Sequence, residues 1–428
     1  MNETAIPAVH PRFTPQAARA NAPAAAVHAG ALPPRGIPAT GRLFLRLLTR
    51  LRAGQLTVVL PGGARLHLGT AQARPAAELR LLDWRACARI LGAGDIGFGE
   101  ALRRGWVDSP DLTALMRLAL CNEAALEAAV WGNRLLGLWF RLRHALRANT
   151  RAGSRENIHA HYDLGNAFYG LWLDETWTYS SALFRGDHTL TLVEAQHAKY
   201  QRVIDVLGLK PGMRVLEIGC GWGGFACYAG ERGISVRGIT ISPAQLEVGR
   251  ERLARAGLGT TVQLDLCDYR DLRGQYDAIV SIEMFEAVGR SFWDGWFAQL
   301  RGLLAPGGRA LVQSITIDEE RFERYASSSD FIRHYVFPGG MLPSVKRFVA
   351  GAAAHGLVTR DLLAFGKDYA ETMRRWSRQF EAARDAIGAL GYDEVFVRTW
   401  RLYLAYCEAG FEEGRTDVVQ FLLERRAG

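Results

Sequence analysis

The residues whose order most plainly suggests chemistry are Val215-Leu-Glu-Ile-Gly-Cys-Gly-Trp-Gly-Gly224, where a run of strand formers breaks into glycines. Glycine is needed where a backbone turns through positive φ and a ligand approaches closely. The spacing Gly219-x-Gly221-x-x-Gly224, with Gly223 beside it, matches the dinucleotide fingerprint, a weak signal when it stands alone. A dinucleotide site should also carry an acid about 20 residues further on, at the end of the second strand. That stretch reads Gly238-Ile-Thr-Ile-Ser242 and holds no acid. Two acids elsewhere favour S-adenosylmethionine instead. Glu217, inside the motif, can face an ammonium group. Asp268 can accept from an adenine amino group, with Tyr269 beside the ring.

These residues need a sheet behind them. Val215–Gly219, Val236–Ile241, Thr261–Leu266, Ala278–Ile282 and Ala310–Ile315 are β-rich runs separated by helical stretches. That alternation predicts an α/β fold, a doubly wound, mostly parallel sheet of Rossmann-like type. From Tyr369 onward the pattern reads as helices. A chain of 428 residues exceeds one ordinary core and predicts two folded units. Residues 1–41 read as a disordered Ala/Pro-rich tail and 42–150 as a smaller N-terminal α+β domain. The larger unit spans 151–428. Within the smaller domain, short strands Leu56–Leu60 and Arg65–Leu68 flank Pro61-Gly-Gly63, and helical patterns cover Asp83–Leu91 and Leu112–Val130.

The net charge of +8 is concentrated at the front. Residues 1–150 carry 19 Arg, no Lys and 9 acids, or +10, while the remainder balances 33 basic against 35 acidic residues, or −2. Such a surface suits nucleic acid or an anionic membrane. In Arg134–Arg147, Leu135, Leu138, Trp139, Leu142 and Leu146 share one helical face flanked by Arg134, Arg141, Arg143 and Arg147. It fits equally a helix packed on its neighbour or one lying in a membrane interface. Charges interrupt every apolar run before it reaches spanning length, and no secretory signal is legible. The six cysteines show no metal spacing, so a reduced, cytoplasmic chain on the inner face of the membrane is expected.

The motifs Tyr162-Asp-Leu-Gly-Asn166, Tyr179-Ser180, Leu216-Glu-Ile-Gly-Cys-Gly-Trp-Gly-Gly224, Gly238-Ile-Thr-Ile-Ser-x-x-Gln245, Met284-Phe-Glu-x-Val-Gly289 and Phe337-Pro-Gly-Gly-x-Leu-Pro-Ser344 together resemble the cyclopropane fatty acid synthase family. The resemblance covers about 155–425, and the front domain resembles the extra domain of larger bacterial members. It implies a class I methyltransferase in which Tyr179 and Ser180 touch the cofactor. Thr240, Ile241 and Gln245 would replace the usual acid at the ribose, and Tyr269 and Arg270 would flank the adenine. The implied reaction adds a methyl group to the double bond of unsaturated phospholipid acyl chains, with cyclopropane as the leading product and a methylene or methyl branch as the alternative. A homodimer is the candidate assembly.

An alkene is a poor nucleophile, so positioning in a dry apolar channel must supply most of the catalysis. Methyl transfer leaves a carbocation, which aromatic faces can stabilise and a base must deprotonate. In the resembled family that base is a bicarbonate held by a cysteine, a glutamate, a histidine and a tyrosine. Here the glutamate falls on Glu286 and the tyrosine on Tyr369, while Ser181 and Gln313 stand at the cysteine and histidine positions. Both can still hydrogen-bond an anion, but Gln313 cannot carry charge or relay a proton. Glu283 is a further carboxylate, either a solvated loop acid or a catalytic one.

His159-x-His161-x-Asp163 could suggest a metal, but its Tyr-Asp-x-Gly-Asn context favours a segment folded over the cofactor, and the chemistry requires no metal. A nucleic-acid methyltransferase is the competing reading from the charge. Ile282-Glu-Met-Phe-Glu286 stands where adenine amino methylation would need Asn/Asp-Pro-Pro-aromatic, so nucleic acid is not the expected partner. A lipid-binding protein without chemistry is the other, and the intact cofactor motifs argue against it.

Overall fold

The structure, a computed structural model, describes residues 36–126 and 164–426. The smaller unit is built on Gln55–Val59 (β1), Arg65–Gly69 (β2), Ala76–Leu81 (β3) and Val107–Asp108 (β4), in the order β2-β1-β3-β4. Leu56 and Val58 point inward from β1 and Leu66 and Leu68 from β2, so the period-two pattern selects one buried face. The folded chain begins before the boundary expected at 42. Ala39–Leu48 is a helix, Phe44 and Leu45 are buried, and a Cβ on Gly41 would meet the Trp84 ring at 2.7 Å.

The helix expected over Leu112–Val130 is interrupted at Asn122, after Leu112–Cys121, and the chain is helical again over 123–126, beyond which the expected span lies outside the described residues. Asn122 marks the interruption, accepting from the backbone N–H groups of Arg52 (2.7 Å) and Ala53 (3.0 Å) and donating to the carbonyls of Ala53 and Leu118. The side chain thus competes with the helical bonds at this one position, as short amides do, and the Asn122 carbonyl accepts from the Leu126 N–H at 2.9 Å where the helix resumes. At the other end Asp111 caps the Ala114 N–H at 2.8 Å, a contribution of about 1 kcal/mol.

The larger unit holds Val215–Ile218 (β5), Val236–Thr240 (β6), Val262–Leu266 (β7), Tyr276–Ile282 (β8), Leu304–Ile317 (β9), Leu357–Ala364 (β10) and Thr416–Arg425 (β11). Their order, β10-β11-β9-β8-β5-β6-β7, makes a seven-stranded sheet, parallel from β9 to β7. The chain winds outward from β5 in both directions, and a crevice opens at its carboxyl end, where such sheets bind ligands. All four residues of β5 are buried, which explains its unbroken apolar run and makes Glu217 within it conspicuous.

The expectation of helices alone from Tyr369 onward is corrected by β11. Helices Gly366–Ala382, Arg384–Ala389 and Glu394–Glu412 do form, but Thr416–Arg425 then enters the sheet antiparallel between β9 and β10. Buried on both faces, Val418-Val-Gln-Phe-Leu-Leu423 shows no alternation, and a short apolar run cannot be told from a buried helix by period.

Helices Gly366–Ala382 and Glu394–Glu412 pack through a cluster of rings. Trp172 meets Trp376 at 5.7 Å and Trp400 at 5.9 Å, both edge to face, and Phe168 meets Trp400 at 5.0 Å. Truncating such a ring to Ala costs about 3–5 kcal/mol. The cluster fixes the helix that carries Tyr369.

Candidate active site

A cavity of about 2650 Å³ opens at the carboxyl end of β5 and extends to Leu47 and Leu115 of the smaller unit. Gly219 turns at φ 81°, and a Cβ there would strike Met284 Cγ at 2.9 Å. Gly221 turns at φ 53° with no atom within 4 Å of a built Cβ, so open space faces the backbone. Glu217 is buried, and its Oε2 has no hydrogen-bond partner among the described residues. Burial pushes its carboxyl up to about 8, against the pull of Lys199 and the Ala226 N–H. An orphaned acceptor beside open space fits a donor on a ligand, as the ammonium of S-adenosylmethionine would supply.

Around the rest of the crevice, Thr240 Oγ1 donates to Gln245 Oε1 at 2.9 Å, and Ser242 caps the helix Pro243–Arg255. Ile241 projects beside them, 66% exposed. Asp268 is held by Arg270 through Nε (2.9 Å) and Nη2 (2.6 Å), which keeps its carboxyl below the usual range. Tyr269 lines the cavity next to this pair. Tyr179 shares a hydrogen bond of 2.8 Å with Tyr403, and Ser180 Oγ accepts from Lys199 Nζ at 2.7 Å.

The catalytic candidates converge on Glu283. Its Oε1 accepts from the Ser181 N–H at 2.9 Å and from Gln313 Nε2 at 2.8 Å, while Oε2 accepts from the Tyr369 hydroxyl at 2.6 Å. Gln313 is aimed in turn by Gln420 on β11, whose Nε2 donates to its Oε1 at 3.0 Å. Glu283 sits at φ 50°, a left-handed conformation unusual for a residue with a side chain. Its own N–H donates to the Gln313 carbonyl at 2.8 Å and helps hold it there. Glu286 stands one 3₁₀ turn later. Its Oε1 accepts from the Ile315 N–H and the Ser314 hydroxyl, and its buried Oε2 has no partner among the described residues. Burial, and then the charge of Glu283, pushes Glu286 up to about 8.

The sequence signature described as mycolic acid cyclopropane synthetase matches residues 149–421. The chain belongs to this family. It is therefore an S-adenosylmethionine-dependent methyltransferase. It is 41% identical over 350 residues to the tuberculostearic acid methyltransferase UfaA1 of Mycobacterium tuberculosis, covering 79% of this chain and 81% of that protein. Identity to the cyclopropane-fatty-acyl-phospholipid synthase of Escherichia coli K12 is 36% over 358 residues, 82% of this chain and 88% of the relative. The crystal structure of mycolic acid cyclopropane synthase CmaA1 complexed with SAH and CTAB superposes with a TM-score of 0.59 at 35% identity, covering 63% of this chain and 98% of that one.

Within this cyclopropane synthetase family member, two expectations about the anion site need correction. The donors expected to hold a bicarbonate already hold Glu283, so the residues present do not fit a separate anion at that place. Ser181 contributes its backbone N–H, not its hydroxyl, which donates to the Ala182 carbonyl at 2.9 Å. Glu283 is likewise no solvated loop acid. Its signal was legible as an extra carboxylate three residues before Glu286, but its partners come from positions 181, 313 and 369, which only the fold brings together. Lys199, fully buried under Ser180, was not singled out at all. The segments Arg134–Arg147 and His159–Asp163 lie outside the described residues. Asn166 of the Tyr162 motif is described, and it ties the glycine turn by accepting from Trp222 Nε1 at 2.8 Å.

Proposed function

We propose that the protein transfers a methyl group to the double bond of an unsaturated acyl chain in a membrane phospholipid and closes a cyclopropane ring. The observation that carries this reading is the Glu283 carboxylate, aimed by three donors at the wall of an apolar cavity continuous with the glycine turn. S-adenosylmethionine supplies an electrophilic methyl on a sulfonium sulfur. Glu217, Ser180 and the Thr240–Gln245 turn would hold it, and the apolar walls would exclude water. Tyr403 and Phe337 line the cavity, and aromatic rings there can stabilise a cation on the acyl chain. Glu283 then accepts a proton from the newly added methyl, and the freed electron pair closes the ring. The relative named as a phospholipid synthase supports this substrate class. The arginine-rich front of the chain supports docking on an anionic membrane surface, and a homodimer is the assembly we propose there.

A second reading, a methylene- or methyl-branched product, draws on the same residue. Burial raises the Glu283 carboxyl, yet three donors already share its lone pairs and oppose that shift, so an incoming proton must displace one of them and is taken up more slowly. A neighbouring hydride then has time to move to the cationic carbon, and proton loss leaves a branched alkene. The relative named as a tuberculostearic acid methyltransferase supports this alternative.

Expression in a bacterium lacking ring-forming activity, with isotope-labelled methionine, tests both. Labelled acyl chains that take up hydrogen under mild conditions are the branched alkene, and of those that resist, the cyclopropane product is two hydrogens lighter than a saturated methyl-branched chain. Absence of label from the lipids would overturn the acyl-chain reading.

A further inference from the structure

Lys199 is fully buried, a costly place for an ammonium group. It sits on the helix Leu192–Leu207 next to Gln196, one turn earlier on the same face. Gln196 Nε2 donates to the Ser180 carbonyl at 2.9 Å, and Lys199 Nζ donates to Ser180 Oγ at 2.7 Å. On the same helix Tyr200 shares a hydrogen bond of 2.6 Å with Thr178 Oγ1. One helix therefore grips the segment that carries Tyr179 and Ser180 by three side chains. Gln196 already bonds the backbone of that segment and Tyr200 the Thr178 side chain. A third contact through a buried cation needs a different explanation.

Its effect falls on Ser180. With the hydroxyl oxygen accepting from Lys199, the hydroxyl hydrogen must point elsewhere, and it has no acceptor among the described residues. Ser180 lines the cavity, so a ligand there can accept the free hydrogen. The acids near Lys199 are Glu283, Asp174 and Glu217. Glu217 is the one that carries an orphaned oxygen into the same space. The crevice thus offers a donor backed by positive charge on one side and an acceptor on the other, which suits a zwitterion.

We propose that Lys199 is a positioning residue that makes the pocket recognise the carboxylate of the cofactor's amino-acid end. It turns Ser180 into a donor and supplies the matching charge, while Glu217 faces the ammonium. The inference rests on the assignment of S-adenosylmethionine as cofactor and adds to it the group that reads the carboxylate. Burial pulls the Lys199 ammonium down to about 7, so a carboxylate arriving nearby favours its charged form.

Calorimetry of the full chain with two ligands tests this. One is S-adenosylhomocysteine; the other is S-adenosyl-3-thiopropylamine, which lacks only the carboxylate. Lys199→Met should weaken the first by at least about tenfold and the second by less than about threefold. Ser180→Ala should show the same selective loss, and if Lys199→Met does not fold, Lys199→Gln, which keeps a donor to Ser180 and loses the charge, takes its place and should again weaken S-adenosylhomocysteine more than the amine. Equal losses for both ligands would reduce Lys199 to a packing role and overturn the proposal, as would undiminished binding of S-adenosylhomocysteine. Failure of the unaltered protein to bind S-adenosylhomocysteine would instead overturn the cofactor assignment beneath it.

Discussion

Tyr369 donates its hydroxyl hydrogen to Glu283 Oε2 across 2.6 Å while its ring stacks on Phe411 at a centroid distance of 4.4 Å. The stacking fixes the ring, and the ring fixes the carboxylate. Tyr369→Phe keeps the first and deletes the second. A hydrogen bond to a charged group contributes about 1.5–3 kcal/mol, so kcat should fall by about 10- to 100-fold. Affinity for S-adenosylhomocysteine should be unchanged, because the hydroxyl does not bear on the glycine turn. Single-turnover kinetics with calorimetry checks both; a loss confined to cofactor binding would remove Tyr369 from the chemistry.

Glu283→Gln preserves shape and removes the base, and a lost general base typically costs about 10²–10⁴-fold in rate. Glu283→Gly should be more informative. Glycine accepts the φ of 50° without strain, and the substitution frees the Ser181 N–H, Gln313 Nε2 and the Tyr369 hydroxyl around an empty space. Added bicarbonate should then restore part of the activity in the glycine variant and none in the glutamine variant. Equal responses in the two would show that this carboxylate does not stand in an anion's place.

Glu286 makes stability depend on pH. Its carboxyl is raised from an ordinary 4.5 to about 8, first by burial and then by the charge of Glu283. A raised folded-state value means that the protonated form favours the fold. The contribution is complete below pH 4.5 and is lost as pH rises through about 8. Glu286→Gln stays neutral throughout, so its melting temperature should exceed the parent's by more at about pH 9 than at about pH 5. Thermal unfolding without cofactor across that range reads this directly, and parallel curves would contradict it.

Gly221→Asp should abolish binding of S-adenosylhomocysteine. The position is left-handed and faces open space, so a carboxylate there would project into the ligand's place and repel its acidic end. Binding retained within a few-fold would show that the ligand does not approach this turn.

The glycine turn, Glu217 and the parallel strands were readable because they are local: a buried strand announces itself by its apolar run, and a turn by its glycines. What stayed hidden depends on residues far apart in the chain. Glu283 could be noticed as an extra acid, yet whether it was solvated or catalytic turned on Ser181, Gln313 and Tyr369. Lys199 looks like any helical lysine until Ser180 is placed over it. Strand β11 was misread because a strand buried on both faces loses the alternation that would reveal it. The interruption of the helix at Asn122 is not legible in the sequence because its side chain bonds back to Arg52 and Ala53, and nothing local marks that return.

The insertion of Thr416–Arg425 between two strands that precede it has a consequence for biosynthesis. Every other strand of the sheet leaves the ribosome first, and domains fold as their residues emerge. Until this strand arrives, Leu357–Ala364 has no neighbour to pair with, and Gln313 lacks the amide of Gln420 that aims it at Glu283. A nascent chain can thus complete its glycine turn while one of the three donors to Glu283 is still unfixed. The strand that leaves the ribosome last among those described is therefore also the one that sets the final donor of the Glu283 carboxylate.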